Sequence, residues 1–535
     1  MQMVEITQAV AVLTINFPAG SMGAAAARPV PAKVILAFVA ACAIAKVFAA
    51  WATGFTRDEA YTVVIARKLA LSYFDHPPLH QWTLHGFTAV FGEGWWVRTP
   101  FLLMAVAINA PLYGLTRRLF GPNAALWALF SFNAAAYFVV WPDGLILPDT
   151  PLFLFLVAAI WAVAEILFGP PRSEASISAL WLAAGLAFGF AGLSKYSAVF
   201  APLSLFGFLV FSPRHRHWLW RPQPYLGAAL ALAIFAPALV WNYQNHWASF
   251  AFQSGRAAKG LTFDAPAFEA FGQTIGAQIA LLSPWIGAPL VIALADAARS
   301  RDANSASRFL LWLAMMPLLF FLLMPFFGKL AIPHWFNTSW LFGFPLLGQW
   351  LSERSARWLR AWAGVSAVLA AAIFTVYVAY VTVGPAWLLT NLGARLRDPA
   401  AWSYNWRGLE AAAVWRASSP ALPAFVAVDN WRAGGKAGVA LGPEVPVCAF
   451  SQDPREFAFV CDTGALVGQD ALIVTLKENT ERSLRTLAPY FKRLGPSQEI
   501  AAGRGEGAER ILTLTRGYAL LRPYPSPYAD GGAPQ

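Results

Sequence analysis

The sequence predicts a polytopic α-helical membrane protein with a small C-terminal α/β domain outside the membrane. The chain has 535 residues, of which 58% are hydrophobic and only 13% are charged. A soluble domain carries roughly 25% charged residues, so a soluble chain of this composition would have too little charge to cover its surface. The 24 Trp and 41 Phe also suit a protein that meets both lipid and the lipid–water interface.

About eleven apolar segments of roughly 15–22 residues are candidate spans, because crossing a bilayer takes roughly 20 residues in a helix. The period-2 alternation of a barrel is absent, so we expect all of them to be helices, which satisfy their own backbone hydrogen bonds in hydrocarbon. The predicted spans begin near Val34, Val97, Ala124, Pro151, Ala179, Tyr196, Tyr225, Ile275, Phe309, Trp335 and Ala361.

The loops between these spans fall into two alternating sets. The short basic loops carry Arg117, Arg172 and the arginines of 214–221, 299–308 and 354–360, which predicts that they face the cytoplasm. We attribute the net charge of +11 to basic residues in cytoplasmic loops and to their contacts with lipid headgroups. The sequence contains no nucleic-acid-binding motif. The predicted organisation is a cytoplasmic segment 1–33, a transmembrane domain 34–383 with a long outer loop 53–96, and an outer domain 384–535.

The outer loop begins with a pair of acids, Asp58 and Glu59. Thr56 stands three residues before Glu59, which fits a helix capping box and gives Glu59 a purely structural role. The alternative is a carboxylate at the membrane face that acts as a general base, where reduced solvation tunes its pKa. Both readings remain open from the residues alone.

The same loop continues with Asp75, His76, Pro77 and Pro78, a rigid turn because the prolines fix the backbone. Asp and His in sequence are candidate ligands for a divalent metal or a hydroxyl, and His246 is a candidate third contributor from another outer loop. A divalent metal ion is therefore a candidate cofactor. His80 and His85 are expected to be packing residues.

Further outer-loop residues add one acid and several cations. Asp149 lies where a helix is predicted to begin, so it is either a cap or a second acid directed at the same cavity. Lys195 lies between two apolar runs, where a lysine must pair or extend to the interface, and it suits a lipid phosphate. Candidate cations in the remaining outer loops are Arg256, Lys329 and His334.

A carboxylate base and cations at a membrane face suit the transfer of a group from a lipid phosphate to a hydroxyl. The sequence has no phosphate-binding loop and no dinucleotide-binding glycine pattern. A lipid-linked donor is thus favoured over a nucleotide-linked one.

Several segments together resemble glycosyltransferase family 39, the protein O-mannosyltransferase and aminoarabinose transferase group with the GT-C membrane fold. They run in the family's order over roughly residues 35–350. The matching segments are DEAY at Asp58, YFDHPPL at Tyr73, RRLFG at Arg117, PDTP at Pro148, GLSKY at Gly192, WNYQNHWASF at Trp241 and KLAIPHW at Lys329.

The resemblance implies an inverting transfer of a sugar from a polyprenyl-phosphate donor at the periplasmic face of a bacterial inner membrane. The implied acceptor is lipid A, another glycolipid, a polysaccharide or a protein, and membrane lipids surround the protein. The implied catalytic residues are Asp58 as the favoured base and Asp149 as a second candidate, with Glu59 as a further acid. The implied substrate-binding residues are Tyr73, His76, Lys195, Tyr196, Arg256, Lys329 and His334, and Asp75 and His246 are the candidate metal ligands.

One departure from the family concerns the first loop. Aminoarabinose transferases have Glu-Lys-Pro-Pro where this chain has Asp75-His76-Pro77-Pro78. Histidine is cationic only below a pKa of about 6.5, so His76 does not simply replace that lysine as a phosphate ligand.

Two other functional classes are less consistent with the sequence. A transporter or flippase for lipid-linked sugars would place its site near the bilayer midplane, often within inverted repeats, and no repeat is visible here. A sensor that binds ligand with its tail would not need about eleven spans.

The tail is predicted to contain strands at FVAV, ALIVTL and ILTLT and a helix-like stretch over Glu478 to Leu494. Cys448 and Cys461 are either a disulfide or two buried thiols.

Overall fold

We describe a computed structural model of the chain. The structure describes residues 31–140, 146–255, 261–302, 305–383, 406, 408–409, 423–502 and 510–528. Within these residues, seven helical segments are long and apolar enough to cross a membrane, judged by length and composition. They are Ala32–Ala52, Trp95–Phe120, Asp149–Leu167, Glu174–Ser194, Pro222–Gln244, Ala306–Phe327 and Ala356–Tyr380.

All eleven predicted spans begin within helical segments, but the predicted number of crossings is not confirmed. The segment near Ile275 is a pair of helices, Ala265–Leu282 and Pro284–Arg299, bent by 109° and counted as an eighth span if taken together. Pro284 stands at the break, where its missing N–H and fixed φ disfavour a continuous helix. The predicted spans near Ala124, Tyr196 and Trp335 correspond to shorter helical segments, which are Pro122–Ala134, Tyr196–Phe211 and Asn337–Ser352.

Two of these shorter helices pack against each other inside the bundle. Most side chains of Pro122–Ala134 and Asn337–Ser352 are buried. A Cβ atom on Gly348 would lie 2.3 Å from the carbonyl oxygen of Ala124, so the two backbones approach closely only because this residue is glycine. A helix at the centre of a bundle and a helix that crosses the membrane both have apolar sequences, because protein and lipid surroundings are both apolar. The sequence therefore does not distinguish the two.

Three helices form the outer part of the membrane domain, at the end of the bundle that carries the predicted outer loops. They are Arg57–Ala66, Leu79–Phe91 and Ala248–Gly255. We call Arg57–Ala66 the loop helix, and its last eight residues, from Glu59 onward, are all buried. An outer-loop helix this deeply buried needs a partner surface, which the C-terminal domain supplies.

The C-terminal domain is built on a five-stranded mixed sheet with strand order β2-β1-β3-β5-β4. The strands are β1 Phe425–Val428, β2 Val447–Ala449, β3 Ala471–Leu476, β4 Phe491–Ala502 and β5 Arg510–Leu520. β1 pairs in parallel with β2 and β3, whereas β5 pairs antiparallel with β3 and β4. The α-helices in the described part of the domain are Trp431–Leu441, Phe457–Val460 and Thr480–Leu487.

The three predicted strands are confirmed as β1, β3 and the first half of β5. The predicted helix over Glu478 to Leu494 is wrong in its last part, because Thr480–Leu487 is helical and β4 begins at Phe491. In β4, the backbone N–H and C=O groups form hydrogen bonds with β5, whereas a longer helix would have satisfied them internally. The local sequence is compatible with either structure, and the contact with β5 selects the strand.

The two tail cysteines form a disulfide. Cys448 lies in β2 and Cys461 follows the helix Phe457–Val460, and their Cα atoms are 5.5 Å apart. The bond ties this short helix to the edge of the sheet, next to the segment that contacts the outer loop.

The C-terminal domain docks directly on the loop helix. Its helix Trp431–Leu441, which we call the docking helix, lies so close that a Cβ on Gly435 would be 2.4 Å from the backbone nitrogen of Tyr61. Lys436 donates a hydrogen bond to the carbonyl of Phe55, and Arg67 donates to the carbonyl of Gly438 at 2.9 Å. The loop helix and the sheet therefore share one apolar core.

Candidate active site

Glu59 is held by two structural interactions at the start of the loop helix. The Thr56 hydroxyl accepts a hydrogen bond from the Glu59 backbone N–H at 3.2 Å, and the Thr56 backbone N–H donates to Glu59 Oε2 at 2.8 Å, so the predicted capping box is confirmed. Arg98 Nε donates to Glu59 Oε1 at 2.8 Å and Arg98 Nη2 donates to Oε2 at 2.7 Å. Both oxygens of this fully buried carboxylate are thus occupied.

The same arginine also anchors the end of the first span. Arg98 donates to the backbone carbonyls of Ala50, Thr53 and Gly54, which the helix Ala32–Ala52 leaves without an intrahelical partner. Glu59 Oε1 additionally accepts from the Ile146 backbone N–H at 3.4 Å, just before the helix Asp149–Leu167. One ion pair therefore links the first span, the outer loop and the segment that carries Asp149.

Burial by itself would raise the pKa of Glu59, but the guanidinium of Arg98 and the hydrogen bonds to it outweigh burial and hold that pKa below its usual value. Glu59 is therefore an ionised carboxylate without a free oxygen. This geometry favours the positioning role over the predicted role as a catalytic acid or base.

Asp58 has the opposite environment to its neighbour. Its side chain is 45% exposed, and its carboxylate lies 3.4 Å from Arg57 Nε. It stands in the first turn of the loop helix, where backbone N–H groups and the helix dipole favour a negative charge. Asp58 is thus an accessible carboxylate beside a rigid buried pair.

Asp75 is buried and contacts the C-terminal domain. Its Oδ1 lies 2.7 Å from Arg455 Nη1, and its Oδ2 accepts a hydrogen bond from the Tyr61 hydroxyl. Arg455 also stacks on the Trp431 ring with its guanidinium carbon 4.0 Å from the ring centroid. Sequence reasoning missed Arg455 because 380 residues separate it from Asp75, and no local pattern marks the pair.

Asp75 and His246 do not fit a metal centre. Both carboxylate oxygens of Asp75 are engaged as described, and His246 is exposed in the turn after the helix Pro222–Gln244. Among the residues that the structure describes, no group of three or more His, Cys, Asp and Glu side chains could hold a metal ion.

Glu456 completes the contact between the tail and the outer loop. Its Oε2 accepts a hydrogen bond from the Phe74 backbone N–H at 2.6 Å, and its own backbone N–H donates to the Tyr61 hydroxyl at 3.0 Å. Burial, followed by the nearby charge of Asp75, raises the pKa of Glu456 well above its usual value. The carboxyl group is therefore neutral at pH values at which an exposed glutamate is ionised.

Asp149 and Lys195 form a second buried pair. Lys195 Nζ lies 2.8 Å from Oδ1 and 2.9 Å from Oδ2 of Asp149. Asp149 begins the helix Asp149–Leu167, and Lys195 directly follows the helix Glu174–Ser194, so the pair joins two helix ends. Both carboxylate oxygens of Asp149 face the lysine ammonium group. The structure thus brings together two residues that were predicted from separate loops.

His80 is the neighbour of this pair that sequence reasoning assigned to packing. It is fully buried, and burial, despite the opposing charge of Asp149, lowers its pKa to about 3. Its imidazole is thus neutral at physiological pH. Its ring centroid lies 5.9 Å from that of the half-buried His76.

Apart from Arg256, the other residues that were predicted to bind the substrate lie in three separate parts of the described structure. Tyr73 is buried, and its hydroxyl donates to the Lys68 carbonyl at 3.0 Å. The Tyr196 hydroxyl shares a hydrogen bond of 2.8 Å with Ser249. Lys329 and His334 are half-buried in the loop that precedes the helix Asn337–Ser352, and Lys329 pairs with no carboxylate in the described part of the chain. Arg256 lies outside the described residues.

Known proteins match the part of the chain that contains several residues of the candidate site. A family described as dolichyl-phosphate-mannose-protein mannosyltransferase matches residues 75–241, which include Asp75, Asp149 and Lys195. The resemblance to glycosyltransferase family 39 is confirmed. This match begins within the outer loop and ends at the helix Pro222–Gln244, so it covers Asp75 and Asp149 but not Asp58 or Glu59.

Two curated relatives of this family group are similar to the chain. The lipid A galacturonosyltransferase RgtD of Rhizobium johnstonii is 26% identical over 320 residues, which cover 56% of this chain and 61% of that protein. The undecaprenyl phosphate-alpha-4-amino-4-deoxy-L-arabinose arabinosyl transferase of Erwinia tasmaniensis is 27% identical over 293 residues, 50% of each chain. The chain thus spans between half and about three fifths of these relatives.

The fold match is more extensive. The crystal structure of ArnT from Cupriavidus metallidurans bound to undecaprenyl phosphate aligns with a TM-score of 0.61 and 17% identity, covering 91% of this chain and 98% of ArnT. The predicted fold is therefore confirmed: a polytopic helical membrane domain followed by a small domain with a sheet. The chain is a multi-pass membrane protein.

The first prediction concerns the buried ion pair. Replacing Glu59 by Gln leaves Arg98 buried without a counter-charge, which should lower the free energy of unfolding by about 3–5 kcal/mol. Thermal unfolding of the detergent-purified protein measures this. Glu481→Gln, which breaks the exposed pair with Arg485, is the matched control and should change stability by less than about 1 kcal/mol. Equal stability of the two variants would show that the Glu59–Arg98 pair does not organise the loop.

A second prediction follows from Glu456. A carboxyl group whose folded-state pKa is raised contributes stability below its unfolded pKa of about 4.3, and that contribution is lost as the pH rises toward the folded-state pKa. Glu456→Gln stays neutral and can still accept from Phe74, so its melting temperature should fall less than that of the unaltered protein between pH 5 and pH 8. The exposed Glu444→Gln is the control and should follow the unaltered protein. Parallel pH profiles for both variants would contradict a neutral Glu456.

Proposed function

We propose that the chain is a membrane glycosyltransferase that moves a sugar from a polyprenyl-phosphate donor to a hydroxyl of a glycolipid acceptor. The observation that carries the proposal is the convergence of three outer segments. The accessible Asp58, the buried Asp75 and the Asp149–Lys195 pair all lie at helix ends and loops of one end of an apolar helix bundle. Such a site joins acid–base groups to a cation where a lipid phosphate would reach the protein surface.

In the proposed reaction, Asp58 removes the proton of the acceptor hydroxyl while the acceptor oxygen attacks the anomeric carbon of the donor sugar. The bond between that carbon and the phosphate oxygen breaks, and the configuration inverts because the attack comes from the opposite side. The polyprenyl phosphate leaves with the bonding electron pair and gains negative charge. A nearby cation lowers the energy of that charge in the transition state.

Lys195 is the proposed cation for the leaving phosphate. A lysine ammonium has three N–H donors, and the two oxygens of Asp149 engage two of them. The third is available for a phosphate oxygen, and Asp149 fixes the position of the ammonium group. The neutral imidazole of His80 packs beside this pair without adding a positive charge that would repel Lys195.

The proposed acceptor class is lipid A or a related glycolipid. One curated relative is named as a lipid A galacturonosyltransferase, and the other is named for an undecaprenyl-phosphate-linked aminoarabinose donor. A polysaccharide or protein acceptor would use the same base and the same leaving group. The proposed location is the bacterial inner membrane with the site and the C-terminal domain in the periplasm, which follows from the basic loops at the other end of the bundle.

The competing proposal of a flippase for lipid-linked sugars has no support from the relatives, both of which are named as transferases. The decisive experiment is mass spectrometry of cell-envelope glycolipids with and without the gene. The transferase predicts a mass increment of one sugar residue on a glycolipid. Unchanged glycolipid and polysaccharide masses together with relocated lipid-linked sugar would overturn it.

A prediction for the base is that Asp58→Asn lowers the transfer rate by about 10²–10⁴-fold, the usual contribution of a general base. The rate is measured in membranes supplied with a polyprenyl-phosphate sugar and acceptor glycolipid. Asp296→Asn, whose side chain is similarly exposed at 49% but lies just before the predicted inner loop 299–308, should keep normal activity. An Asp58→Asn rate within a few fold of the unaltered protein would exclude Asp58 as the base.

A prediction for the buried pair separates its structural role from its chemical one. Lys195→Met leaves Asp149 buried and unpaired, which should cost about 3–5 kcal/mol of stability and abolish transfer. The double variant Asp149→Asn with Lys195→Met removes both charges and should recover most of the stability, measured by thermal unfolding, but not the activity. If the double variant also recovers transfer, the pair is structural only.

A further inference from the structure

A cavity of about 440 Å³ lies at the far end of the membrane domain from the candidate active site. It opens between the helices Asn109–Phe120 and Asp149–Leu167, and Arg117, Arg118 and Glu165 line it. At a rise of about 1.5 Å per residue, Glu165 is about 24 Å along its helix from Asp149. The cavity therefore cannot share a ligand headgroup with the Asp149–Lys195 pair.

The cavity has an excess of positive charge. Glu165 accepts hydrogen bonds from Arg118 Nε at 2.8 Å, from Arg172 Nη2 at 2.6 Å and from Trp161 Nε1 at 3.3 Å. One carboxylate thus orients two guanidinium groups, and the exposed Arg117 adds a third that forms no ion pair with any described residue. Three arginines and one glutamate leave a formal charge of +2 at the mouth of the cavity.

The walls of the cavity are apolar and aromatic. Trp161 lies against Gly114, where a Cβ would be 2.4 Å from the indole ring, so the ring is seated on the neighbouring helix. Leu103, Val106 and Ala110 precede Arg117 at intervals of three, four and seven residues, the spacing of one helix face. Leu103 and Val106 are 66% and 48% exposed, so an apolar stripe leads from the arginines along the outer surface of this helical segment.

We propose that this cavity binds an anionic phospholipid, with the headgroup phosphate between Arg117 and Arg118 and an acyl chain along the Leu103–Val106–Ala110 stripe. A guanidinium fork matches phosphate oxygens, and basic pockets between membrane helices suit anionic headgroups. The apolar stripe favours a lipid over a free phosphate ion, because a free ion would leave that stripe unused. The lipid is a bound structural ligand and takes no part in the transfer reaction.

The test is native mass spectrometry of the full-length, delipidated protein in detergent, titrated with phosphatidylglycerol. We expect saturable binding of phosphatidylglycerol and much weaker binding of phosphatidylcholine with the same acyl chains. Arg117→Gln should weaken phosphatidylglycerol binding about fivefold, the factor for one arginine near an anionic headgroup. Arg357→Gln is the matched control, because it removes an exposed arginine from another predicted inner segment.

A second variant keeps the charges and fills the space. Ala110→Trp places a large side chain in the cavity from an exposed position and should block phosphatidylglycerol binding while leaving the melting temperature of the delipidated protein unchanged. Equal phosphatidylglycerol affinity of Arg117→Gln and Arg357→Gln would overturn the proposal. Competition by inorganic phosphate at the same concentration as the lipid would assign the cavity to a free anion and overturn it equally. Preferential retention of undecaprenyl phosphate over phosphatidylglycerol would assign it to a carrier lipid instead.

Discussion

The buried ion pair between Glu59 and Arg98 is the constraint on which the outer end of the molecule depends. A buried guanidinium needs many acceptors, and here it takes both oxygens of Glu59 and three carbonyls at the end of the first span. Because the same carboxylate caps the loop helix and accepts from Ile146, the ion pair connects three chain segments. The position of Asp58 follows from it, since Asp58 directly precedes Glu59.

The C-terminal domain is part of this arrangement rather than an appendage. Its Arg455 pairs with Asp75, its Glu456 binds the backbone at Phe74, and its docking helix packs on the loop helix through Gly435. The outer loop therefore has one face toward the membrane helices and one toward the sheet. We infer that the domain holds the rigid turn at Pro77 and Pro78 in place, and thereby His80 beside the Asp149–Lys195 pair.

Several features of the site were predictable from local sequence, and others were not. The capping box at Thr56, the rigid turn after Asp75 and the lysine at the end of an apolar helix each leave a local pattern. The partners of these residues leave none: Arg98 lies near the start of a predicted span and Arg455 lies in the tail, and no local pattern marks either as the partner of an outer-loop acid. A buried charge needs a partner, but the sequence does not state which one.

The amino-acid composition and the apolar segments were sufficient to establish a helical membrane protein with a mixed outer domain, because burial in lipid demands long apolar helices and the tail strands have their own pattern. The tertiary structure decided which apolar helices lie inside the bundle, since a protein interior and a lipid interior select the same side chains. It also decided that β4 is a strand, because only pairing with β5 separates that choice from a longer helix. Above all it decided which charges meet, because electrostatic pairing depends on distance in space and not on separation along the chain.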